Sequence, residues 1–92
     1  MVDPQGRVVT WNTGAARIFG YAQSEIAGRD GGVLFTPEDR ANGEHQQELA
    51  RAADEGRAAD DRWHMPRGGG RFYASGIPTP LRGADGSLHG FV

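Results

Sequence analysis

The sequence predicts an α+β domain built on one antiparallel sheet. Three observations predict it. A β-branched and aromatic run, Arg7 to Trp11, is bounded by turn residues and reads as a strand. The middle of the chain breaks into short helical stretches that end at Gly20, Gly28, Gly43 and Gly56. The C-terminal part alternates in strand fashion around a glycine turn, Gly68 to Gly70. A strand, several short helices and then three antiparallel strands, with no internal repeat, is an α+β order and not a series of parallel βαβ units.

Each element has a local cause. Asn12 or Thr13 can cap the first helix, accepting hydrogen bonds from its free N–H groups. Ala15, Ala16, Ile18 and Phe19 give that helix an apolar side, and Gly20 suits its C-terminal cap. Ser24 to Gly28 is a single capped turn, and Gly31 and Gly32 lead into a short buried run, Val33 to Phe35. Thr36 then caps a helix with Pro37 at its first position. Glu38 and Asp39 favour the positive end of its dipole.

Gly43 divides this region from a longer helix, Glu44 to Glu55. Its inner face has only Leu49, Ala52 and Ala53, so it packs closely and weakly. Arg57 to Met65 and Arg71 to Pro78 read as the two strands of a hairpin. Pro80 to Ser87 is a longer connection with Asp85 and Gly86 at its tip, and Leu88 to Val92 begins a last strand.

Composition narrows the function. At 92 residues the chain is one small domain, near the lower size for a core without staples. It has no Cys, which excludes disulfides, thiolate metal sites and cysteinyl chemistry. No apolar run approaches the roughly 18 residues of a membrane span, and no signal peptide is visible. A cytoplasmic segment without membrane contact is the expectation. The formal charge of −2 carries no clustered basic stripe, so no nucleic-acid surface is expected.

Laid along the chain, these pieces resemble the PAS superfamily, the small sensory fold of bacterial signalling proteins. The matching residues begin with Asp3, Gly6, Trp11, Asn12, Phe19, Gly20 and Tyr21. They continue through Glu25, Ile26, Gly28, Thr36 to Asp39, Glu48, Leu49, Gly56 and Arg57. Trp63, Arg71 to Tyr73, Pro80, Leu81, Asp85, Gly86 and Gly90 to Val92 complete the set. No single piece is specific; their order and spacing are.

The resemblance implies a five-stranded antiparallel sheet in the order 2-1-5-4-3, with helices over one face enclosing a pocket. It implies a sensory module, not an enzyme, in a bacterial two-component signalling protein such as a histidine kinase. The expected partners are a second copy of the chain, a flanking signalling helix with its output domain, and a small-molecule ligand. A ligand-free module that only dimerises is the alternative. Pro66 to Gly69 stand where such hairpins usually read Arg-Lys-Asp-Gly. Few residues precede Asp3, and the chain stops before the Asp-x-Thr motif that couples the last strand to an output helix. Residues 1–92 are therefore expected to be one PAS domain truncated at both ends.

The candidate pocket residues are Ile26, Leu34, Leu49, His64, Phe72, Ala74, Gly76 and Phe91. The cofactor is left unknown. Flavin-adduct photochemistry needs a Cys and is excluded. His45 lies where haem-binding relatives place their axial ligand, but its flanks are polar and the sequence predicts a solvated histidine there. Trp63 and Met65 share one face of their strand and Arg62 and His64 the other. Burial alone would turn Trp63 inward; alignment with flavin-binding relatives turns His64 inward instead. Tyr73, Ser75 and Ile77 form a face too apolar for solvent, which suits an outside helix or a second subunit. The acid pairs Asp54/Glu55 and Asp60/Asp61 flank Gly56 and read as solvated charge, and the three histidines lack metal-ligand spacing.

Overall fold

Asn12 starts the first helix. In a computed structural model covering residues 1–92, its side chain accepts the Ala15 N–H at 2.7 Å. Helix α1 (Thr13–Phe19) then ends on left-handed Gly20. The short helix α2 (Gln23–Ile26) is capped by Glu25, which accepts the Ala22 N–H at 2.8 Å. Asp30 caps a 3-10 turn (Gly31–Leu34), and Thr36 caps α3 (Pro37–Ala41) with Pro37 at its first position. Helix α4 (Glu44–Glu55) runs between left-handed Gly43 and Gly56. It buries His45, Glu48, Leu49 and Ala52, which share one stripe at helical spacing.

Strands β1 (Asp60–His64) and β2 (Phe72–Gly76) form an antiparallel hairpin in which Trp63 faces Tyr73 and His64 faces Phe72. Strands β3 (Pro80–Arg82) and β4 (Leu88–Phe91) form a second antiparallel pair. Leu49, Ala52, Ala58 and Phe91 make the buried core, with Val2, Ala53 and Leu88 packed on it. Val2 crosses the β4 edge so closely that a Cβ on Gly90 would run into its carbonyl oxygen.

Three expectations need correction. Arg7 to Trp11 is not a regular strand: only Arg7 and Val8 bridge, to Asp30 and Val2. Its backbone is shared between two neighbours. Val8 bonds Arg29 and Gly28 on one side, while the Val9 N–H donates to the Met1 carbonyl on the other. Pro80 to Arg82 is strand, not loop, because the chain changes partner at Pro78 and Pro80. Neither proline has an N–H to continue the hairpin ladder. For the same reason the regular sheet comprises two separate two-stranded ladders in place of one five-stranded sheet. Isolated bridges from Val2 to Val8 and to Phe91 extend the pairing.

Candidate functional site

Between the helices and the inner face of the strands lies a cavity of about 340 Å³, at the small end of the range for ligand pockets. Its walls are mostly apolar: Trp11 and Phe19 at one side, Leu34 and Phe35 at another, Leu49 and Phe91 towards the core. The Trp11 indole N–H donates to the Tyr21 carbonyl at 2.9 Å, and its ring packs on Phe19 at 5.6 Å. Four titratable side chains also reach the wall, His45 and Glu48 from α4 and Asp60 and His64 from β1, together with Thr10 and Ser75.

His64 is held from both ends. Its Nδ1 lies 3.0 Å from the Leu34 carbonyl oxygen and its Nε2 3.2 Å from the Asp60 carboxylate. Both neighbours are acceptors, so only the imidazolium, with a proton on each nitrogen, satisfies both. Burial opposes that charge, but the hydrogen bond and charge of Asp60 outweigh it, and the imidazole titrates above its ordinary value. Burial likewise opposes charge on Asp60. Hydrogen bonds and charge from His64 and Arg62 win there too, and hold the carboxyl below the usual range.

Arg62 lies behind the wall with its side chain largely buried. It bonds Asp60 at 2.8 Å, approaches Asp39 at 3.5 Å and Glu44 at 3.4 Å, and sits over the Phe35 ring. Glu48 is the strained member. It is 2 % exposed. Arg62 Nη2 comes within 3.2 Å of its Oε1. The approach supplies charge but misses the hydrogen-bond direction, so Oε1 has no donor. Burial first, and then the charge of Asp60, push the Glu48 carboxyl up to about 7 against the pull of Arg62.

A family model described as the PAS fold matches residues 1–92. The chain belongs to the PAS fold family. It is 41% identical over 81 residues to two-component system protein A of Emericella nidulans, a match covering 88% of this chain and 12% of that protein. The chain thus spans about an eighth of the length of this relative. Among solved structures it is similar to the PAS domain of a Colwellia psychrerythraea protein, with a TM-score of 0.87 and 19% identity. That match covers 97% of this chain and 75% of the other. It also resembles a domain of a sensory box sensor histidine kinase/response regulator from Geobacter sulfurreducens, at TM-score 0.77 and 23% identity. The coverage is 98% of this chain and 75% of the other.

Within this PAS domain, six of the eight residues expected at the pocket line the cavity: Leu34, Leu49, His64, Ala74, Gly76 and Phe91. Ile26 is fully buried away from it, and Phe72 packs on Phe19 at 5.3 Å outside its wall. His64 points inward and Trp63 outward, as alignment with flavin-binding relatives suggests and burial alone does not.

Two readings are corrected. His45 is buried, not solvated, because Gly6 and Gly31 leave space for its ring; a Cβ on Gly6 would sit 2.7 Å from its Nε2. That Nε2 lies 3.2 Å from the Gly6 carbonyl oxygen, and the ring packs at a tilt on Phe35, 4.9 Å between centroids. Asp60 is not in an exposed turn but on β1, half-buried and bonded to His64 and Arg62. Glu48, Asp60, Arg62 and Phe35 were missing from the expected site. The spacing of His45, Glu48, Leu49 and Ala52, and the alternation of Asp60, Arg62 and His64, were the signals that mark them.

Proposed function

We propose that this chain is a sensory module of a two-component signalling protein, reporting occupancy of its cavity to an output domain. The observation that carries this reading is the apolar cavity with a fixed charge pair, His64 and Asp60, at its wall. A ligand that binds one arrangement of these walls better than another shifts the population of the two. The relative from Emericella nidulans and the Geobacter sulfurreducens kinase domain support the signalling context. In this reading the domain does no chemistry of its own and works in the cytoplasm beside a histidine kinase. No helix is long and apolar enough to cross a membrane.

Native mass spectrometry of the purified protein tests the proposal. The expected result is added mass of a small molecule on the folded chain, abolished by Ala74→Leu, which narrows the cavity. Bare protein in both cases, with output unchanged by Ala74→Leu, would overturn it.

One observation favours a second reading, a module that signals by association alone. Trp63, Tyr73 and Ile77 are 53%, 56% and 60% exposed on the sheet's outer face, more apolar surface than solvent favours. Sedimentation of a ligand-free dimer that Tyr73→Ser converts to monomer would support it. A monomer at every concentration would remove it.

A further inference from the structure

The buried unmet hydrogen bonds at the cavity wall have one sign. Two polar side-chain atoms are buried without a partner, Oε1 of Glu48 and Nδ1 of His45, and both side chains are at the cavity wall. They lie one turn apart on α4. His45 Nε2 faces the Gly6 carbonyl oxygen at 3.2 Å and the Asp30 carboxylate at 3.7 Å, so that nitrogen carries the proton and Nδ1 presents a lone pair. Oε1 of Glu48 is likewise an acceptor. The ring N–H groups at the wall are already engaged: His64 spends both of its own on Leu34 and Asp60. The Trp11 N–H goes to Tyr21.

Charge narrows the occupant further. Glu48 and Asp60 balance Arg62 and His64 when Glu48 is ionised, while Asp39 and Glu44, 3.5 and 3.4 Å from Arg62 on its more solvated side, add negative charge. A bound anion would lie against two carboxylates at the wall, and a cation would lie against the His64 imidazolium. A buried acceptor without a donor costs free energy that a ligand hydrogen can recover.

We propose that the cavity binds a small, neutral, largely apolar molecule bearing an N–H or O–H donor, which hydrogen-bonds Oε1 of Glu48. The apolar body lies against Leu34, Phe35 and Leu49. This rests on the reading of the cavity as a ligand site and names the chemistry of its occupant.

Indole and 1-methylindole differ by the donor alone and serve as probes, with indole-2-carboxylate as the anionic counterpart. Titrated into the 92-residue chain and followed by calorimetry or NMR, indole is expected to bind about tenfold more tightly than 1-methylindole. The carboxylate is expected to bind more weakly than either. Glu48→Leu should bring the indole to 1-methylindole ratio close to one while 1-methylindole still binds. Equal binding of the two neutral probes to the unaltered chain would overturn the donor assignment and leave the ligand site standing. Tighter binding of the carboxylate would also overturn it. If no probe of either kind enters, the ligand-site reading falls with it.

Discussion

The two faces of β1 reverse the usual arrangement of polar and apolar side chains. Asp60, Arg62 and His64 point to the helix-covered side, where Arg62 and His64 are largely or wholly buried. Trp63, between them, is half exposed on the other side against Tyr73 at 5.7 Å. Hydropathy alone would have exchanged them. The inner face tolerates charge because Asp60 bonds Arg62 and His64 along the strand, and other elements complete the set. Leu34 of the 3-10 turn accepts from His64, and Glu44 and Glu48 of α4 and Asp39 of α3 lie within 3.5 Å of Arg62. The outer face tolerates exposed rings because nothing in it must be satisfied. Burial here follows available partners more closely than side-chain polarity.

The sharpest way to break this contrast is to remove Arg62. Arg62→Met leaves Glu48 buried without a cation and Asp60 with His64 alone, and the expected cost is about 3–5 kcal/mol of stability in urea denaturation. Adding Glu48→Leu to that variant should recover a substantial part, since one orphaned carboxylate goes with it. A single variant within about 1 kcal/mol of the unaltered chain would show that the inner charges are not coupled.

A smaller effect comes from pH. Glu48 has a folded value of about 7 against an ordinary 4.5, so its contribution is fully present below the lower value and lost as pH rises through the higher. His64 is raised as well, so its contribution is present below 6.5 and is lost above its folded value. Asp60, held low, contributes above 3.8 and loses that contribution only as pH falls. Stability is therefore expected to be greatest on the acid side of neutrality. From there to mildly alkaline pH it should fall by about 2 kcal/mol, less than the full Glu48 shift because Arg62, with Asp39 and Glu44 beside it, sits in partly solvated surroundings. Glu48→Gln should flatten most of that slope in denaturation curves taken across pH. An unchanged slope would place the titration elsewhere.

The outer face should respond least. Trp63→Thr removes an edge-on ring contact at a solvent-exposed cross-strand pair, expected to cost under about 1 kcal/mol in thermal melts of the isolated chain. A larger loss would mean that this face is already covered by a second copy.

The sequence made the helix ends legible because their causes are local. Asn12, Thr36, Gly20 and Gly56 each act on backbone within a few residues. The inward turn of His64 was legible through the PAS resemblance, and the inner face of α4 at Leu49 and Ala52 through its apolar residues. The burial of His45 was not, because the space for it is made by Gly6, 39 positions away, and by Gly31. Asp60 looked like one of two solvated acids because its partners lie on other turns of the chain and on alternate positions of its own strand. Glu48 was hidden by the assumption that a helix's inner face is written in apolar residues alone. The strand at Pro80 was obscured by the two prolines that interrupt the run before it.

Those prolines divide the stiffness of the sheet. The Pro78 oxygen accepts the Ala58 N–H, and Thr79 and Val92 exchange a pair of hydrogen bonds at 3.0 and 2.9 Å. Lacking N–H groups of their own, Pro78 and Pro80 donate no rung on either side of Thr79. The hairpin that carries His64 and the β3–β4 pair are thus joined by a torsional coupling one residue wide. A twist of the hairpin is delivered first to Val92, and slower amide exchange at Thr79 and Val92 on filling the cavity would register it.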